Sequence, residues 1–479
     1  MIVLTPEEAG AALGLSPLSA PVTGVSIDSR SIAAGDLFVA LRGERFDGHE
    51  FVGAVAARGA SGLVVEQDRA GDARKSLAGS SVPVYEVADT LEALWALARA
   101  VRRNSAATVF GVTGSVGKTS TKDLLHAMLR RVRRVVSTSG NQNNEVGVAL
   151  TLFNLQPDTE AVVVEMAMRG RGQIAQLAAV AEPDVGLITN IHPVHLELLG
   201  SLEGIAEAKA ELLAGLRAGG VAVVPHGCAL LLPFVARCAC RVVTFAAGAS
   251  APGADVTGGL EAEHGAAGRV FRLRWPGSEA RLETRFMWSH TVENAVAAAA
   301  ACYAAGLPVE ECLEGINETE FSKGRGQVIE LPGLWVIDDT YNANPAAMRA
   351  ALDNLVGFAR EKAARPVAVL GDMLELGLRS AAFHREIGGY AAERGVQMLW
   401  GVGELSRHTV AGFEESLRTS GGDGQATAGH VRSAEEIGPV LAALRRGDAV
   451  LFKASRSIGL DGMVRRVAVE AGSLVEEKR

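Results

Sequence analysis

The sequence predicts an α/β protein with parallel sheets, divided into several domains. The chain has 479 residues, about three times a usual domain of roughly 150. Glycine accounts for 55 of them, and glycines end short β-branched runs, as in folds where strand, turn and helix alternate. Helical periodicity between several of these runs favours βαβ units. Strands are predicted at Thr108–Val112, Ala161–Glu165, Val185–Ile191, Leu334–Asp339, Pro366–Leu370, Met398–Val402 and Ala449–Phe452.

Two changes in composition predict the domain boundaries. A basic, apolar helix over Leu91–Arg103 gives way to the first buried strand, and a short polar link at Phe321–Gly326 precedes a second series of strands. The Gly/Ala-rich segment Gly248–Gly268 is predicted to be a loop or an edge excursion. We therefore expect three domains, at residues 1–103, 104–322 and 323–479.

Composition excludes several classes of protein. The net charge is −8 and no segment gathers basic residues into a stripe, which argues against a nucleic-acid or acidic-membrane binder. No signal-peptide pattern or apolar run of membrane-spanning length is visible. The five cysteines form no CxxC pair, which fits a reducing compartment better than a disulfide framework. We expect a cytoplasmic protein.

The most specific motif is a glycine-rich loop between a predicted strand and a predicted helix. Strand Thr108–Val112 leads into Gly114-Ser-Val-Gly-Lys118-Thr119-Ser120, and a helical pattern covers Thr121–Arg131. Glycines let backbone N–H groups approach phosphate, and a helix N-terminus adds positive potential. The lysine can reach the β- and γ-phosphates, and the hydroxyl can hold Mg²⁺. Val112 stands where the usual pattern has glycine, and a simple turn is the alternative, but the flanking elements favour phosphate binding.

Polar side chains lie at or just after the carboxyl ends of four other predicted strands, at Glu165, at Asn190 with His195, at Asp338 with Asp339, and at Lys453–Arg456. Ligands of open parallel sheets bind outside the carboxyl ends of the strands, so these groups mark a site. Spacing alone does not choose between His192 and His195. The asparagines at 141, 143 and 144 could equally form an ordinary polar turn.

Lys209 lies on the apolar face of a predicted helix. Residues 202, 205, 209, 212 and 213 share one helical face and read Leu, Ile, Lys, Leu, Leu. A lysine in such a stripe must extend its amine to water, lose its charge or be modified. The sequence leaves these three alternatives open.

These residues resemble the Mur ligases of peptidoglycan synthesis along almost the whole chain. The matching segments are Asp28–Arg30, Gly35–Gly43, Phe46–His49, Thr113–Thr119, Gly140–Gly147, Glu165–Met166, Thr189–Ile191, His195–Glu197, Ala208–Ala210, Asp338–Pro345, Leu370–Gly377 and Lys453–Ser457. The run Asp338-Asp-Thr-Tyr-Asn-Ala-Asn-Pro345 is most similar to the member of the family that adds a dipeptide.

The resemblance implies a complete fold and a reaction. The fold class is α/β with a small N-terminal α/β domain, a central P-loop parallel or mixed sheet with helices on both faces, and a C-terminal Rossmann-like domain. The implied reaction joins D-alanyl-D-alanine to the carboxylate of UDP-MurNAc-tripeptide through an acyl phosphate made from ATP. The implied protein is a bacterial monomer that uses two Mg²⁺ ions and a carbamylated Lys209, with no nucleic-acid or membrane partner.

The resemblance also assigns roles to residues. Lys118, His195, Lys209 and Arg325 would be catalytic. The ATP contacts would be Gly114, Ser115, Val116, Gly117, Lys118, Thr119, Ser120, Asn294, Arg325, Asp339, Tyr341 and Asn342. The metal ligands would be Thr119, Glu165, His195 (rather than His192) and the Lys209 carbamate. The remaining substrates would be held by Asp28, Ser29, Arg30, Asn143, Asn144, Lys453, Ser455 and Arg456. Arg325 would reach the γ-phosphate when the third domain closes on ATP.

Three alternatives share some of these motifs. A sibling Mur ligase adding a single amino acid, or a folylpolyglutamate-synthase-like ligase, would share the phosphate loop and the lysine, but the Asp28–His49 block and the Tyr341–Pro345 run argue against both. A GTPase would carry an Asn-Lys-x-Asp motif, and the chain has no Asn-Lys dipeptide. A non-catalytic scaffold is disfavoured because every polar group that the reaction needs is present.

Overall fold

The computed structural model describes residues 1–43, 46–77, 79–194, 196–248, 251–261, 269–284, 288–419 and 426–474. It has the predicted α/β architecture, with three separate sheets that follow one another along the chain. Among the described residues, no helix has the length and apolarity needed to cross a membrane.

The first sheet has four parallel strands in the order β1-β2-β3-β4. Its strands are β1 (Val25–Ser26), β2 (Leu37–Val39), β3 (Gly62–Glu66) and β4 (Val84–Val87), and the helices of this region are α1 (Pro6–Leu13), α2 (Val52–Ala57), α3 (Ala70–Ser76) and α4 (Thr90–Arg103). Short 3₁₀ helices cover Gly48–Phe51 and Gln67–Arg69.

The second sheet has nine strands within the described residues and is mixed. Its strands are β5 (Thr108–Thr113), β6 (Val135–Ser137), β7 (Ala161–Glu165), β8 (Val185–Ile188), β9 (Val221–Pro225), β10 (Arg241–Ala247), β11 (Val256–Leu260), β12 (Arg269–Trp275) and β13 (Ser278–Thr284). The order is β13-β12-β11-β10-β9-β8-β5-β7-β6, in which the pairs β11–β12 and β12–β13 are antiparallel and the other pairs are parallel. Its helices are α5 (Lys118–Leu129), α6 (Glu145–Phe153), α7 (Gln173–Ala181), α8 (Leu196–Leu199), α9 (Leu202–Ala214), α10 (Leu232–Val235), α11 (Ser289–Ala304) and α12 (Val309–Leu313), with a 3₁₀ helix at Glu314–Glu318.

The third sheet has six strands in the order β14-β15-β19-β16-β17-β18, and only the edge strand β14 is antiparallel to its neighbour. Its strands are β14 (Gln327–Leu331), β15 (Leu334–Asp338), β16 (Arg365–Gly371), β17 (Met398–Val402), β18 (Thr427–Val431) and β19 (Asp448–Lys453). Its helices are α13 (Pro345–Glu361), α14 (Ser380–Glu393), α15 (Ser406–Thr419), α16 (Gly438–Ala443) and α17 (Leu460–Leu474), with 3₁₀ helices at Gly377–Arg379 and Arg456–Ile458.

The central sheet is covered by helices on both faces because its strands are apolar on both faces. Along β7, Val162 and Val164 pack into the cluster with α4, α6, α7 and α9, whereas Ala161 and Val163 pack into the cluster with α5 and α11. This alternation follows from the two-residue side-chain period of a strand. The same layering holds the β5 and β7 ends, and hence the residues that follow them, at one edge of the sheet.

Helix α4 joins the first two sheets through one buried cluster. Its residues Leu94, Leu97 and Val101 pack with Val39 of β2 and with Val109 of β5. Arg102, which is 1% exposed, donates hydrogen bonds to the carbonyls of Ala181 and Glu182 and pairs with Asp184 Oδ2 at 2.8 Å. Contacts to charged groups of this kind stabilise by about 1.5–3 kcal/mol, so the first sheet is firmly attached to the second.

Several sequence-based expectations need correction. The segment Gly248–Gly268 contains strand β11, and β11 lies two strands inside the sheet edge; residues 249–250 and 262–268 lie outside the described part. The strand predicted to reach Ile191 ends at Ile188, where the chain meets the glycine-rich loop: the hydroxyl of Thr189 donates to the carbonyl of Val116 at 2.6 Å. The helix predicted from Thr121 begins at Lys118.

The cysteines also differ from expectation, because Cys238 and Cys240 form a disulfide. The two residues follow α10, where the backbone places their Cα atoms 5.2 Å apart, within the usual disulfide range of about 4.4–6.8 Å. Cys228, Cys302 and Cys312 are free thiols.

Candidate active site

The glycine-rich loop connects β5 to α5 in a shape that requires its glycines. Gly114 and Gly117 have φ angles of +148° and +83°. A Cβ atom on Gly114 would collide with Thr189 Oγ1, and one on Gly117 would collide with Asn294 Oδ1. No side chain caps the N-terminus of α5. The first N–H groups of this helix are therefore available to an anion.

Lys118 extends back along the loop, and its Nζ donates to the carbonyl of Gly114 at 2.9 Å. Burial lowers the pKa of Lys118; the Glu165 carboxylate acts against this shift and the Arg325 guanidinium adds to it. An anion bound at the loop would add to the effect of the Glu165 carboxylate and favour the charged form of Lys118.

Glu165 and Thr119 form a site suited to Mg²⁺. Glu165 is 1% exposed, and its Oε1 accepts from Thr119 Oγ1 at 3.2 Å and from Asn143 Nδ2 at 2.8 Å. Its Oε2 is buried without a hydrogen-bond partner. Mg²⁺ is typically held by one or two carboxylates, together with waters and substrate phosphates. The free carboxylate oxygen beside a hydroxyl therefore fits this ion, although no group of three His, Cys, Asp or Glu forms in the described residues.

Arg325 reaches this pair from the segment that links the second and third sheets. Its Nη2 donates to Thr119 Oγ1 at 3.0 Å, and its Cζ lies 3.8 Å from the centre of the Tyr341 ring. Its Nε is buried without a partner. The guanidinium thus sits beside the phosphate loop, held by a cation–π contact on one face.

Asp339 and Lys453 meet at the carboxyl ends of the neighbouring strands β15 and β19. Lys453 is 3% exposed, and its Nζ donates to Asp339 Oδ2 at 2.6 Å and to the carbonyl of Asn342 at 2.9 Å. Ser455 Oγ accepts from the backbone N–H of Leu374 at 2.9 Å. These contacts fix the third domain's side of the site.

A cavity of about 860 Å³ lies between the second and third sheets. Most of the residues predicted for the site line it together: Ser115, Val116, Gly117, Lys118, Thr119, Ser120, Asn143, Asn144, Glu165, Asn294, Arg325, Asp339, Tyr341, Asn342, Lys453, Ser455 and Arg456. A cavity of this size holds a drug-sized ligand.

Other predicted residues do not line this cavity. Gly114, the first residue of the loop, is not part of the lining, and Lys209 lies within α9, where it is 2% exposed. Asp28 and Arg30 form an exposed ion pair at 2.7 Å, and hydrogen bonds from Arg30 lower the pKa of Asp28 to about 2. The structure thus shows a closed polar turn at residues 28–30. His195 lies outside the described residues.

The cavity also contains residues that sequence reasoning missed. Arg169, Gln173, Glu293, Leu374 and Glu375 contribute to its lining. Glu375 has a φ of +61°, which is unusual for a residue with a side chain and is typical of functional loops. Leu374 and Glu375 could have been predicted as site residues from their position, because both follow the predicted strand Pro366–Leu370, which is β16 in the structure.

His384 holds the loop that carries Leu374 and Glu375. It is fully buried; Met373 N–H donates to its Nε2 at 2.9 Å, and its Nδ1 therefore donates to the carbonyl of Ser380 at 2.7 Å. This arrangement requires the neutral imidazole. Burial lowers the pKa of His384; the Ser380 carbonyl and Asp372 oppose this shift, and His408 adds to it.

Because the pKa of His384 is lower in the folded state, the stability from this histidine is present above its unfolded pKa of about 6.5 and is lost as pH falls through the folded value. We expect His384→Leu to cost about 1–3 kcal/mol near pH 8, because Met373 N–H loses its buried acceptor. The difference in melting temperature between wild type and variant should shrink towards pH 5. A difference that stays constant with pH would contradict this account.

Three family models match the chain in order. They are described as "Mur ligase family, catalytic domain" over residues 21–102, "Mur ligase middle domain" over 112–302 and "Mur ligase, glutamate ligase domain" over 324–456. The UDP-N-acetylmuramoyl-tripeptide–D-alanyl-D-alanine ligase of Synechocystis sp. is 35% identical over 452 residues, which cover 94% of this chain and 92% of that protein. The enzyme of the same name from Bacillus subtilis is 33% identical over 457 residues and covers 93% of each chain.

Solved structures give the same picture. A crystal structure of MurF from Acinetobacter baumannii matches with a TM-score of 0.83 at 28% identity and covers 98% of this chain and 99% of that one. The MurF ligase of Thermotoga maritima in complex with ADP matches with a TM-score of 0.78 at 27% identity and covers 94% of this chain and 98% of that one.

Proposed function

This chain belongs to the Mur ligase family, and we propose that it is the ATP-dependent ligase that joins D-alanyl-D-alanine to the C-terminal carboxylate of UDP-MurNAc-tripeptide. The products are UDP-MurNAc-pentapeptide, ADP and phosphate. The observation that carries the proposal is the single cavity in which Lys118, Glu165, Arg325 and Lys453 converge. The reaction belongs to the cytoplasmic part of peptidoglycan precursor synthesis, and we place the protein in the bacterial cytoplasm as a monomer.

The first chemical step brings two anions together. A carboxylate oxygen of the tripeptide attacks the γ-phosphorus of ATP, the bond from that phosphorus to the ADP oxygen breaks, and an acyl phosphate forms. Charge develops on the transferred phosphoryl oxygens, so the site must supply positive groups in fixed positions. Lys118 on the loop and Arg325 beside Thr119 supply them from two sides.

The second step forms the amide. The free amine of D-alanyl-D-alanine attacks the acyl carbon, phosphate leaves with one oxygen of the original carboxylate, and the amine nitrogen loses a proton. Lys453, Ser455 and Arg456 line the third domain's side of the cavity and are proposed to orient the dipeptide and the acyl phosphate. The cavity lies between two domains, so closure would exclude the water that hydrolyses an acyl phosphate.

Asn294, Asp339, Tyr341 and Asn342 are proposed to contact the nucleotide, along with the loop residues 114–120. Thr119 and Glu165 would hold one Mg²⁺, with His195 as a proposed ligand of a second. Bound Mg²⁺ would neutralise phosphate charge. Asn143, which donates to Glu165, would orient that carboxylate, and Asn144, which caps α6, would stand beside the substrate.

We also propose that Lys209 is carbamylated. The amine is buried in α9, where burial lowers its pKa well below the usual value and the neighbouring Lys118 adds to that shift. A neutral amine can attack CO₂, forming an N–C bond and releasing a proton, and the resulting carbamate anion would lie near the Lys118 cation and a bound metal. Carbamylation would account for a lysine that lies on the apolar face of its helix and whose amine does not extend to water.

The carbamate is tested by mass and by CO₂ dependence. We expect intact-protein mass spectrometry under non-acidic conditions to show a species heavier by one CO₂, absent from Lys209→Arg. Removing dissolved CO₂ should lower ligation at least about tenfold in the wild type, and bicarbonate should restore it. Full activity without CO₂, or a Lys209→Arg variant as active as the wild type, would contradict carbamylation.

Each of the three domains is proposed to bind a different substrate. Domains at residues 1–103, 104–322 and 323–479 would bind the UDP-sugar-peptide, ATP with Mg²⁺, and the incoming dipeptide, respectively. Asp28, Ser29 and Arg30 would contact the UDP-sugar, with the polar turn opening to receive it.

The ligation itself is the direct test of function. Purified protein with ATP, Mg²⁺ and UDP-MurNAc-tripeptide should release phosphate only when D-alanyl-D-alanine is also present, and the product should be heavier by one dipeptide minus water. Turnover with a single amino acid and a shorter UDP-peptide would instead assign the protein to a sibling ligase. Turnover with a folate substrate would reject the cell-wall assignment.

A further inference from the structure

A buried carboxylate on α5 holds the interdomain link. Asp123 is 8% exposed, and its Oδ2 accepts from both the backbone N–H and the hydroxyl of Ser322, at 2.9 and 3.0 Å. Ser322 lies three residues before Arg325 in the segment that leads into the third sheet. The helix that starts at the phosphate loop therefore also fixes the start of the Arg325 segment.

The Asp123 carboxylate is also connected, through Lys122 and Thr138, to β7, the strand that ends at Glu165. Its Oδ1 pairs with Lys122 Nζ at 2.5 Å, and that Nζ donates to the carbonyl of Thr138 at 3.2 Å. Thr138 Oγ1 in turn accepts from the backbone N–H of Glu165 at 2.9 Å. Lys122 is 5% exposed and Thr138 is 1% exposed, so the path is shielded from water.

These contacts form a closed ring. One side runs from Ser322 through Asp123, Lys122 and Thr138 to Glu165, and the other runs from Glu165 through Thr119 to Arg325. The backbone of residues 322–325 closes it. A ring of this kind couples the position of Arg325 to the position of the Glu165 carboxylate.

We propose that Asp123 is a positioning residue for the phosphoryl-transfer step, which anchors the link at Ser322 so that Arg325 meets the Thr119–Glu165 pair. The proposal rests on the proposed function, since it assigns Arg325 to the reacting phosphate. The link needs an anchor because Gly324 and Gly326 have φ angles of +72° and +75° and little intrinsic restriction. Apolar residues of similar size are often as stable as a buried ion pair, so the Lys122–Asp123 pair is not accounted for by stability.

Three variants distinguish a role of Asp123 in positioning Arg325 from a role in packing alone. Asp123→Asn keeps the size of the side chain, but its single amide oxygen cannot accept from both Ser322 and Lys122. Ser322→Ala removes the hydrogen bond from the hydroxyl to Asp123 and keeps the one from the backbone N–H. Arg131→Ala is the matched control, because Arg131 follows the same helix and pairs with Glu314 and Glu318 just before the link, on the exposed side.

We expect kcat to fall about tenfold in Asp123→Asn and about threefold in Ser322→Ala, the cost of a lost hydrogen bond of ordinary strength. KM for UDP-MurNAc-tripeptide should stay within twofold. Arg131→Ala should remain within twofold of the wild type in both constants. Arg325→Ala should lower kcat about 10²-fold, as loss of a charge-stabilising donor does. Because Asp123 acts through Arg325, adding Asp123→Asn to Arg325→Ala should lower kcat by no more than about a further twofold.

Hydrogen exchange provides a readout that needs no substrate. Amides of residues 322–326 should exchange at least about fivefold faster in Asp123→Asn than in wild type or Arg131→Ala. Unchanged exchange, multiplicative kinetic effects in the double variant, or wild-type kcat in Arg325→Ala would each overturn the proposal. A wild-type protein that does not ligate would instead reject the function, whatever the exchange rates are.

Discussion

Replacing Lys118 with methionine should lower kcat for ligation by about 10²–10³-fold while the fold stays intact. Lys118 lines the cavity at the phosphate loop together with Arg325, and loss of one charge-stabilising group typically costs this much. The fold should tolerate the change because burial already disfavours the charged amine, as the lowered pKa of Lys118 indicates. Methionine has a similar length and removes only the charge and the hydrogen bond to Gly114.

Phosphate release at saturating substrates measures this effect, and circular dichroism melting checks the fold. Lys75→Met is the control, since Lys75 is an exposed lysine on α3 whose partner is Asp72. The control should retain wild-type kcat and nearly the same melting temperature. A Lys118→Met variant within about fivefold of wild-type kcat would place the transferred phosphate elsewhere.

Glu165→Gln should lower kcat/KM by about 10²–10³-fold and raise the Mg²⁺ concentration needed for half-maximal rate. A glutamine oxygen can still accept from Thr119 and Asn143, so the local packing is kept. The amide nitrogen, however, would replace Oε2, the buried oxygen without a partner, and it cannot bind a cation. Removing a buried negative charge should leave the metal-free melting temperature unchanged or higher.

Rates measured across a Mg²⁺ titration test this prediction. Glu160→Gln is a matched control, because Glu160 precedes the opposite end of the same strand and accepts from the backbone N–H of Arg134. We expect no change in Mg²⁺ dependence in the control. Equal Mg²⁺ dependence in Glu165→Gln and wild type would mean that the free oxygen serves another purpose.

The architecture and most of the cavity were predictable from local patterns. The strand–loop–helix motif at Thr108–Arg131 and the polar groups after β7, β15 and β19 mark the carboxyl edges of parallel strands, where side chains from distant segments must converge. Helical periodicity likewise predicted the apolar surroundings of Lys209, which is 2% exposed.

Other features depend on contacts that no local pattern carries. Asp123 and Ser322 are 199 residues apart, and Lys122-Asp123 resembles any charged pair on a helix. Strand β11 was hidden by its glycines: a Cβ atom on Gly258 would lie 2.8 Å from Val296 Cγ2, so close packing against α11 requires a residue that disfavours strands in isolation. The end of β8 at Ile188 likewise depends on a distant contact, since Thr189 bonds to Val116 in the glycine-rich loop.

The proposed function requires that this cavity activates a carboxylate by transferring a phosphoryl group to it. The most direct test uses UDP-MurNAc-tripeptide in which both oxygens of the C-terminal carboxylate are a heavy isotope, with ATP, Mg²⁺ and D-alanyl-D-alanine. We predict that each phosphate released carries one heavy oxygen, because the acyl phosphate passes a carboxylate oxygen to the leaving phosphate. Phosphate without the heavy isotope, formed together with the amide product, would rule out an acyl phosphate as the intermediate.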